Sequence, residues 1–339
     1  MTIPKVKERV EKPTVAYDPR VKYENSEDAD AEAVVWSTAS VEMAMEALSK
    51  GQKIKRSPFF EGNTLYRKGN IVFQTSPDEI IELARCMSDI RYFVAKYVKV
   101  KTESGKVGHI KLRDYQHKQI DDLMNNKRVL FGWSRQSGKT VGTAIYLLWR
   151  MLFGYEENIC LLANKAKTAG EVLKKMKSIQ HNLPFFMKGG CTGENLGAMS
   201  FDNDSVINCA PTTQDALNGI TANRLLIDEF AFIGRGKNKL EFQTEFLANC
   251  TPIVSSQENG QIIIASTPNG KDLFYKLFNE GLKGQNSYKT SKVLWWQIPG
   301  KTQAWADAER ADIGDDKFKI QYELSFDATQ DSLLSTRLL

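Results

Sequence analysis

The sequence holds only three histidines and five cysteines, and none of the cysteines forms a CxxC pair. An odd number of scattered cysteines in 339 residues does not resemble the disulfide framework of a small secreted domain, so a reducing cytoplasm is the expected setting. His109, His117 and His181 have no close His or Cys neighbours, which argues against a structural zinc site. No apolar run reaches the roughly 18 residues of a membrane span. No basic-then-apolar signal segment opens the chain either, and a soluble protein without membrane partners is expected. Charge of one sign is also scarce. Lys plus Arg is 46 and Asp plus Glu is 41, a surplus of +5 that permits contact with a polyanion without diagnosing it.

What is present suffices for a sizeable core, since 42% of the residues are hydrophobic. Residues 1–33 combine prolines with the acidic run Glu24 to Asp30 and are expected to form a flexible arm. Residues 34–109 are expected to form a small, largely helical subdomain. There Val41, Met45 and Leu48 recur at helical spacing, and Ser76-Pro77-Asp78-Glu79 reads as a helix start followed by Ile80, Leu83, Met87, Ile90, Tyr92 and Phe93. From 110 to 300 short β-rich runs alternate with helical stretches, the pattern of an α/β layer with a mostly parallel sheet flanked by helices. Strands are expected at 128–133, 158–163, 205–209, 224–228 and 260–266, with helices at 140–152, 169–179 and 242–250. Residues 301–339 are expected to finish this region, packing Trp305, Phe318, Tyr322 and Phe326, and to begin a linker.

The stretch Ser134-Arg135-Gln136-Ser137-Gly138-Lys139-Thr140 lies between a strand and a helix and ends in Gly-Lys-Thr. That context suits a phosphate loop: backbone N–H groups and the helix N-terminus face phosphates, Lys139 reaches the β- and γ-phosphates, and Thr140 ligates Mg²⁺. The generic pattern wants glycine where this chain has Trp133. The bland alternative is a surface turn with Arg135 and Lys139 solvated. Downstream, Leu225 to Glu229 is an apolar run delivering two carboxylates, with Asp228 suited to the Mg²⁺ shell and Glu229 to orienting water. Ser266, Thr267 and Asn269, followed by Gly270, end another apolar run and are candidates to sense the γ-phosphate, the water or Glu229; a plain hydrogen-bonded turn is the alternative. Gln116 carries an amide suited to reading an adenine edge, with Arg113 or Tyr115 flanking the base; a solvated helix cap is the other reading.

Taken in order, Arg113-Asp114-Tyr115-Gln116, the loop 134–140, Leu226 to Ile233 and Ser266-Thr267-Pro268-Asn269-Gly270 resemble the ATPase domain of the large terminase subunit of tailed double-stranded DNA bacteriophages, the T-even-like group in particular. The resemblance covers roughly 76–330 and tolerates a non-glycine residue such as Trp133 at the loop start. It implies a P-loop NTPase of the additional-strand, RecA-like class, with ATP and Mg²⁺ as ligands. It implies that Arg135 and Lys139 act in hydrolysis, that Thr140 and Asp228 hold the metal, and that Glu229 is the catalytic glutamate. Ser266, Thr267, Asn269 and Gly270 would then be the coupling motif, and Gln116 the adenine-recognising glutamine. It further implies a packaging motor working with double-stranded DNA, the procapsid portal and a small terminase subunit, as a homo-oligomeric ring, in host cytoplasm and absent from the mature virion. The family's C-terminal nuclease needs more chain than Lys271 to Leu339 offers, so nuclease activity is not expected here.

Two features stay open at this stage. Lys165, Lys167, Lys174, Lys175 and Lys177 form a basic stretch that suits either DNA phosphates or a solvated helix face. Arg235, with Lys237 and Lys239 nearby, is a candidate arginine finger acting in trans. A helicase-like ATPase and a nucleotide-binding scaffold without turnover are the competing functional classes; the paired Asp228 and Glu229 argue against the scaffold.

Overall fold

The computed structural model describes residues 77–101, 105–163, 166–212, 221–234, 236, 238–255 and 257–328. The arm expected at 1–33, the helical stretch around Val41 to Leu48, Lys165, Arg235, Lys237 and the chain end beyond 328 lie outside the described residues.

Four continuous apolar runs form the centre of the sheet: β3 (Arg128–Trp133), β4 (Asn158–Ala163), β8 (Arg224–Asp228) and β9 (Gln261–Ser266). Such runs cannot alternate polar and apolar residues because helices cover both faces, as parallel sheets require. β7 (Val206–Pro211) and β10 (Lys289–Val293) extend the parallel arrangement, while β5 (Cys191–Asn195) and β6 (Ala198–Phe201) add antiparallel strands at one edge. The order is β10-β3-β9-β8-β4-β7-β6-β5. β9 therefore lies between β3 and β8 and pairs in parallel with both.

Strand alternation sorts the core into two layers. Val129, Phe131 and Trp133 of β3 face the cluster shared with α3 (Asp114–Asn125), α4 (Lys139–Phe153) and α5 (Ala166–Asn182). Leu130 faces the opposite cluster, built with α6 (Lys239–Ser255) and α7 (Leu273–Leu282). A third cluster of Trp295, Ala306, Phe318 and Tyr322 belongs to the helical pair α8 (Gln303–Ile313) and α9 (Asp315–Tyr322).

The apolar stripe beginning at Pro77 is divided into α1 (Pro77–Ser88) and α2 (Ile90–Tyr97), because Asp89 adopts an extended conformation and accepts from the Arg91 amide at 2.8 Å. A two-stranded ribbon of β1 (Lys99–Lys101) and β2 (Val107–His109) follows. Both helices pack onto the first layer: Trp149 Nε1 donates to the Cys86 carbonyl at 2.8 Å, and Phe93 meets Phe153 edge-on at 5.6 Å. Among the described residues no helix is long and apolar enough to cross a membrane.

Candidate active site

The loop after β3 folds where its sequence permits left-handed backbone. Gly138 has φ +87° and ψ 11° and caps α4, a conformation that costs a side-chain-bearing residue roughly 1–2 kcal/mol. Gln136 accepts that strain at φ 60°. A Cβ at Gly138 would also stand 2.6 Å from Gln116 Nε2, so the close approach of α3 requires glycine here. The loop is tied at its entrance by the Ser134 amide donating to the Val293 carbonyl at 2.8 Å. At its exit, the Tyr115 hydroxyl donates to the Ser137 carbonyl at 2.9 Å, and Gln119 Nε2 donates to the Lys139 carbonyl at 3.0 Å. Trp133, at the position where a generic loop has glycine, is fully buried in the core beneath the loop. Its indole donates to Ser291 Oγ at 3.0 Å and meets the Tyr115 ring edge-on at 5.2 Å.

The structure engages Gln116 with protein groups instead of leaving its amide open to a base. It is buried, its Oε1 accepts from the Arg113 amide at 3.1 Å, and its Nε2 approaches the Gly138 carbonyl at 3.4 Å. Arg113 Nη1 donates to the Tyr115 hydroxyl at 2.7 Å, so these residues, expected to flank a base, brace the loop.

On the same edge of the sheet, β8 ends in the buried Asp228. Its Oδ1 accepts from the Glu229 amide at 3.0 Å, and Glu229 adopts the left-handed conformation with φ 53° and ψ 39°. The helical turn Phe230–Phe232 that follows is gripped by the end of β9. The Ala231 amide donates to Ser266 Oγ and Asn269 Nδ2 donates to the Ala231 carbonyl, both at 3.0 Å. Ser266 Oγ also donates to the Thr267 carbonyl at 2.9 Å, and Gly270 turns the chain at φ +99°. The residues expected to couple nucleotide state to movement thus hold the backbone two positions beyond Glu229. Gln243, absent from the sequence reading, completes the grip: its Nε2 donates to the Ile233 carbonyl and its Oε1 accepts from the Leu273 amide, both at 3.0 Å. Lys239 is occupied within the same region, pairing with Asp272 at 2.8 Å and reaching the Asn269 carbonyl at 2.5 Å. It is not available to a neighbouring subunit.

Charge links the two halves. Burial pushes the Lys139 ammonium below its ordinary pKa, while the carboxylates of Asp228 and Glu229 oppose that shift. Burial likewise pushes Asp228 upward, against the pull of Lys139 and the Glu229 amide. Thr140, half-buried, follows Lys139 at the start of α4.

Sequence reasoning missed the contribution of the C-terminal helical pair. The Arg135 amide donates to the Gln321 carbonyl and its Nη1 to Gln321 Oε1, both at 2.9 Å. Lys301 Nζ donates to Gln136 Oε1 at 3.1 Å. Of the basic stretch, Lys174 is exposed on α5, whereas Lys177 engages the Asn195 carbonyl and lies 3.9 Å from Glu194 on β5. Of Lys167 only its place in α5 is described.

Residues 130–336 match the family described as terminase large subunit, T4likevirus-type, N-terminal. The chain belongs to this family. Its structure is similar to the large terminase ATPase domain of Thermus phage P74-26, at 18% identity over 64% of this chain and 100% of that one, with a TM-score of 0.50. It is also similar to the HK97 bacteriophage large terminase, at 14% identity over 70% of this chain and 54% of that one, with a TM-score of 0.56. For the large terminase of another thermophilic bacteriophage the identity is 13%, the coverage 62% and 52%, and the TM-score 0.50. The likeness shows the fold: the terminase chain is a P-loop NTPase with the additional strand, β9, between the loop strand and the acidic strand. It spans about half the length of the last two of these proteins.

Proposed function

We propose that this terminase chain is a Mg²⁺-dependent ATPase whose turnover drives double-stranded viral DNA into a procapsid. The observation that carries the reading is the facing of two strand ends across β9: β3 delivers the loop and Lys139, and β8 delivers Asp228 and Glu229. ATP lies on the backbone amides of residues 134–140, with Lys139 and Arg135 countering charge on the phosphoryl oxygens. Arg135 does so by exchanging Gln321 for the nucleotide. Glu229 holds and polarises the attacking water.

Among the described residues no group of three or more His, Cys, Asp and Glu is arranged to hold a metal ion. Mg²⁺ needs no such cage, since it retains waters and takes one or two protein oxygens beside phosphate oxygens. The donor set fits it: the Thr140 hydroxyl and the buried Asp228 carboxylate would hold it, and it would neutralise phosphate charge.

The wider setting follows from family membership: a portal-docked ring recruited by a small terminase subunit in host cytoplasm, on DNA contacted in part by Lys174 and Lys175. Arg235, between the left-handed Gly234 and Gly236, is proposed to reach a neighbouring subunit's ATP. The test is Mg²⁺-dependent hydrolysis by wild type, Glu229→Gln and Lys139→Ala with ATP binding measured on each. Glu229→Gln should bind ATP and turn it over at least a hundredfold more slowly, an effect on the order of 3 kcal/mol; Lys139→Ala should lose both. Equal rates for wild type and Glu229→Gln refute the catalytic assignment.

A further inference from the structure

The chain that leaves β10 returns a lysine to the phosphate loop. Beyond Val293, whose carbonyl already holds the Ser134 amide, Lys301 directs its ammonium to Gln136 Oε1 at 3.1 Å. The same ammonium lies 3.8 Å from the Trp305 ring centroid and 4.5 Å from that of Tyr322. Those rings stand edge to face at 5.2 Å and are backed by the buried Trp295 and Phe318. A lysine on an ordinary solvated face keeps its rotamer freedom. Here two aromatic faces fix the head group beside the loop, and the attraction of ring faces for cations makes that placement favourable. Gln136 offers it only a neutral amide oxygen.

We propose that Lys301 is a nucleotide-binding residue that places a further cation on the polyphosphate from the side of the helical pair. The proposal rests on the ATP site described above. A phosphate oxygen makes a shorter and roughly twice as strong a bond to an ammonium as a neutral acceptor does, so bound ATP takes Lys301 from Gln136. Lys301 precedes α8 and Gln321 lies in α9, so the helical pair meets the loop twice, at Gln136 and at Arg135. Phosphate occupancy is thereby registered by the pair as well as by the loop.

The experiment titrates a ribose-labelled fluorescent ATP analogue against wild type, Lys301→Met and Lys301→Arg, with unlabelled tripolyphosphate as competitor. Lys301→Met keeps an apolar stem over the rings and should raise Kd about tenfold, for the analogue and for tripolyphosphate alike, by an amount that shrinks as salt is raised. Lys301→Arg should retain most of the affinity. An unchanged Kd in Lys301→Met while wild type binds normally overturns this assignment and leaves the ATP site standing. Equal losses in both variants together with lowered melting temperatures overturn it in favour of a packing role. Absence of binding by wild type overturns both this inference and the ATP-site reading.

Discussion

Near the start of α4, alanine is a better helix former than glycine by about 1 kcal/mol, so on propensity alone Gly142→Ala should stabilise the protein. The surroundings of Gly142 argue for the opposite sign. A Cβ there falls 2.0 Å from Gln119 Oε1 and 2.9 Å from its Cδ. Gln119 is fully buried, and its Nε2 donates to the Lys139 carbonyl at 3.0 Å and to Thr143 Oγ1 at 3.1 Å. Moving the amide aside forfeits both bonds, each worth about 1 kcal/mol net. A displaced rotamer costs roughly 1 kcal/mol more. Against the helical gain, the balance is a destabilisation of about 2 kcal/mol. In a Gln119→Ala background the obstruction is gone and Gly142→Ala should stabilise by about 1 kcal/mol, which makes the coupling between the two sites roughly 3 kcal/mol. Urea denaturation of the four proteins of this cycle, with unchanged m-values, measures it. A stabilising Gly142→Ala in the wild-type background, or the same effect in both backgrounds, refutes the reasoning.

Two further predictions concern charge. Lys139 already sits below its ordinary pKa because of burial, and Asp228 is the foremost charge opposing that shift. A lysine with a lower pKa loses its charge at lower pH, so the loss of ATP affinity on raising pH should begin earlier in Asp228→Asn than in wild type; coincident profiles of Kd against pH would contradict this. At the opposite end of the sheet, Glu157 pairs with Arg224 at 2.9 Å and accepts from Arg150 Nε at 2.8 Å, with the Glu157 and Arg224 side chains buried. Glu157→Ala leaves two guanidinium groups at the vacated position and should destabilise by about 3–5 kcal/mol; a change below about 1 kcal/mol in urea denaturation would refute the burial argument.

The parts of the fold readable in the sequence were those whose burial leaves a mark on composition. β3, β4, β8 and β9 are apolar throughout because helices cover both of their faces, and Lys139 to Phe153 follows a helical period. β10 gives no such signal. Its sequence, KTSKV, belongs to a sheet edge where only Val293 is buried, and the strand is specified by pairing with β3. The β5–β6 hairpin, also at an edge, was equally silent. The break at Asp89 lay hidden because the apolar stripe continues across it, whereas the cap that divides α1 from α2 is a single hydrogen bond. At the site, the Gly-Lys-Thr end of the loop and the paired acids were legible as chemistry carried on adjacent residues. Gln119, Gln243, Lys301 and Gln321 were not. Each acts on backbone or side chains brought close only by the tertiary fold, and a glutamine or lysine in a helix or turn carries no periodic or motif signal of that contact.

The position of β9 between β3 and β8 has a consequence for inheritance. Two inter-strand spacings, about 10 Å in all, separate the loop strand from the acidic strand. Main-chain hydrogen bonds set that width, so the sheet acts as a ruler that no side-chain substitution can recalibrate while the pairing survives. Selection is then free to replace the residues around the ruler provided the few that read it stay at its marks. A fold shared at 13–18% identity is what such a division of labour leaves behind.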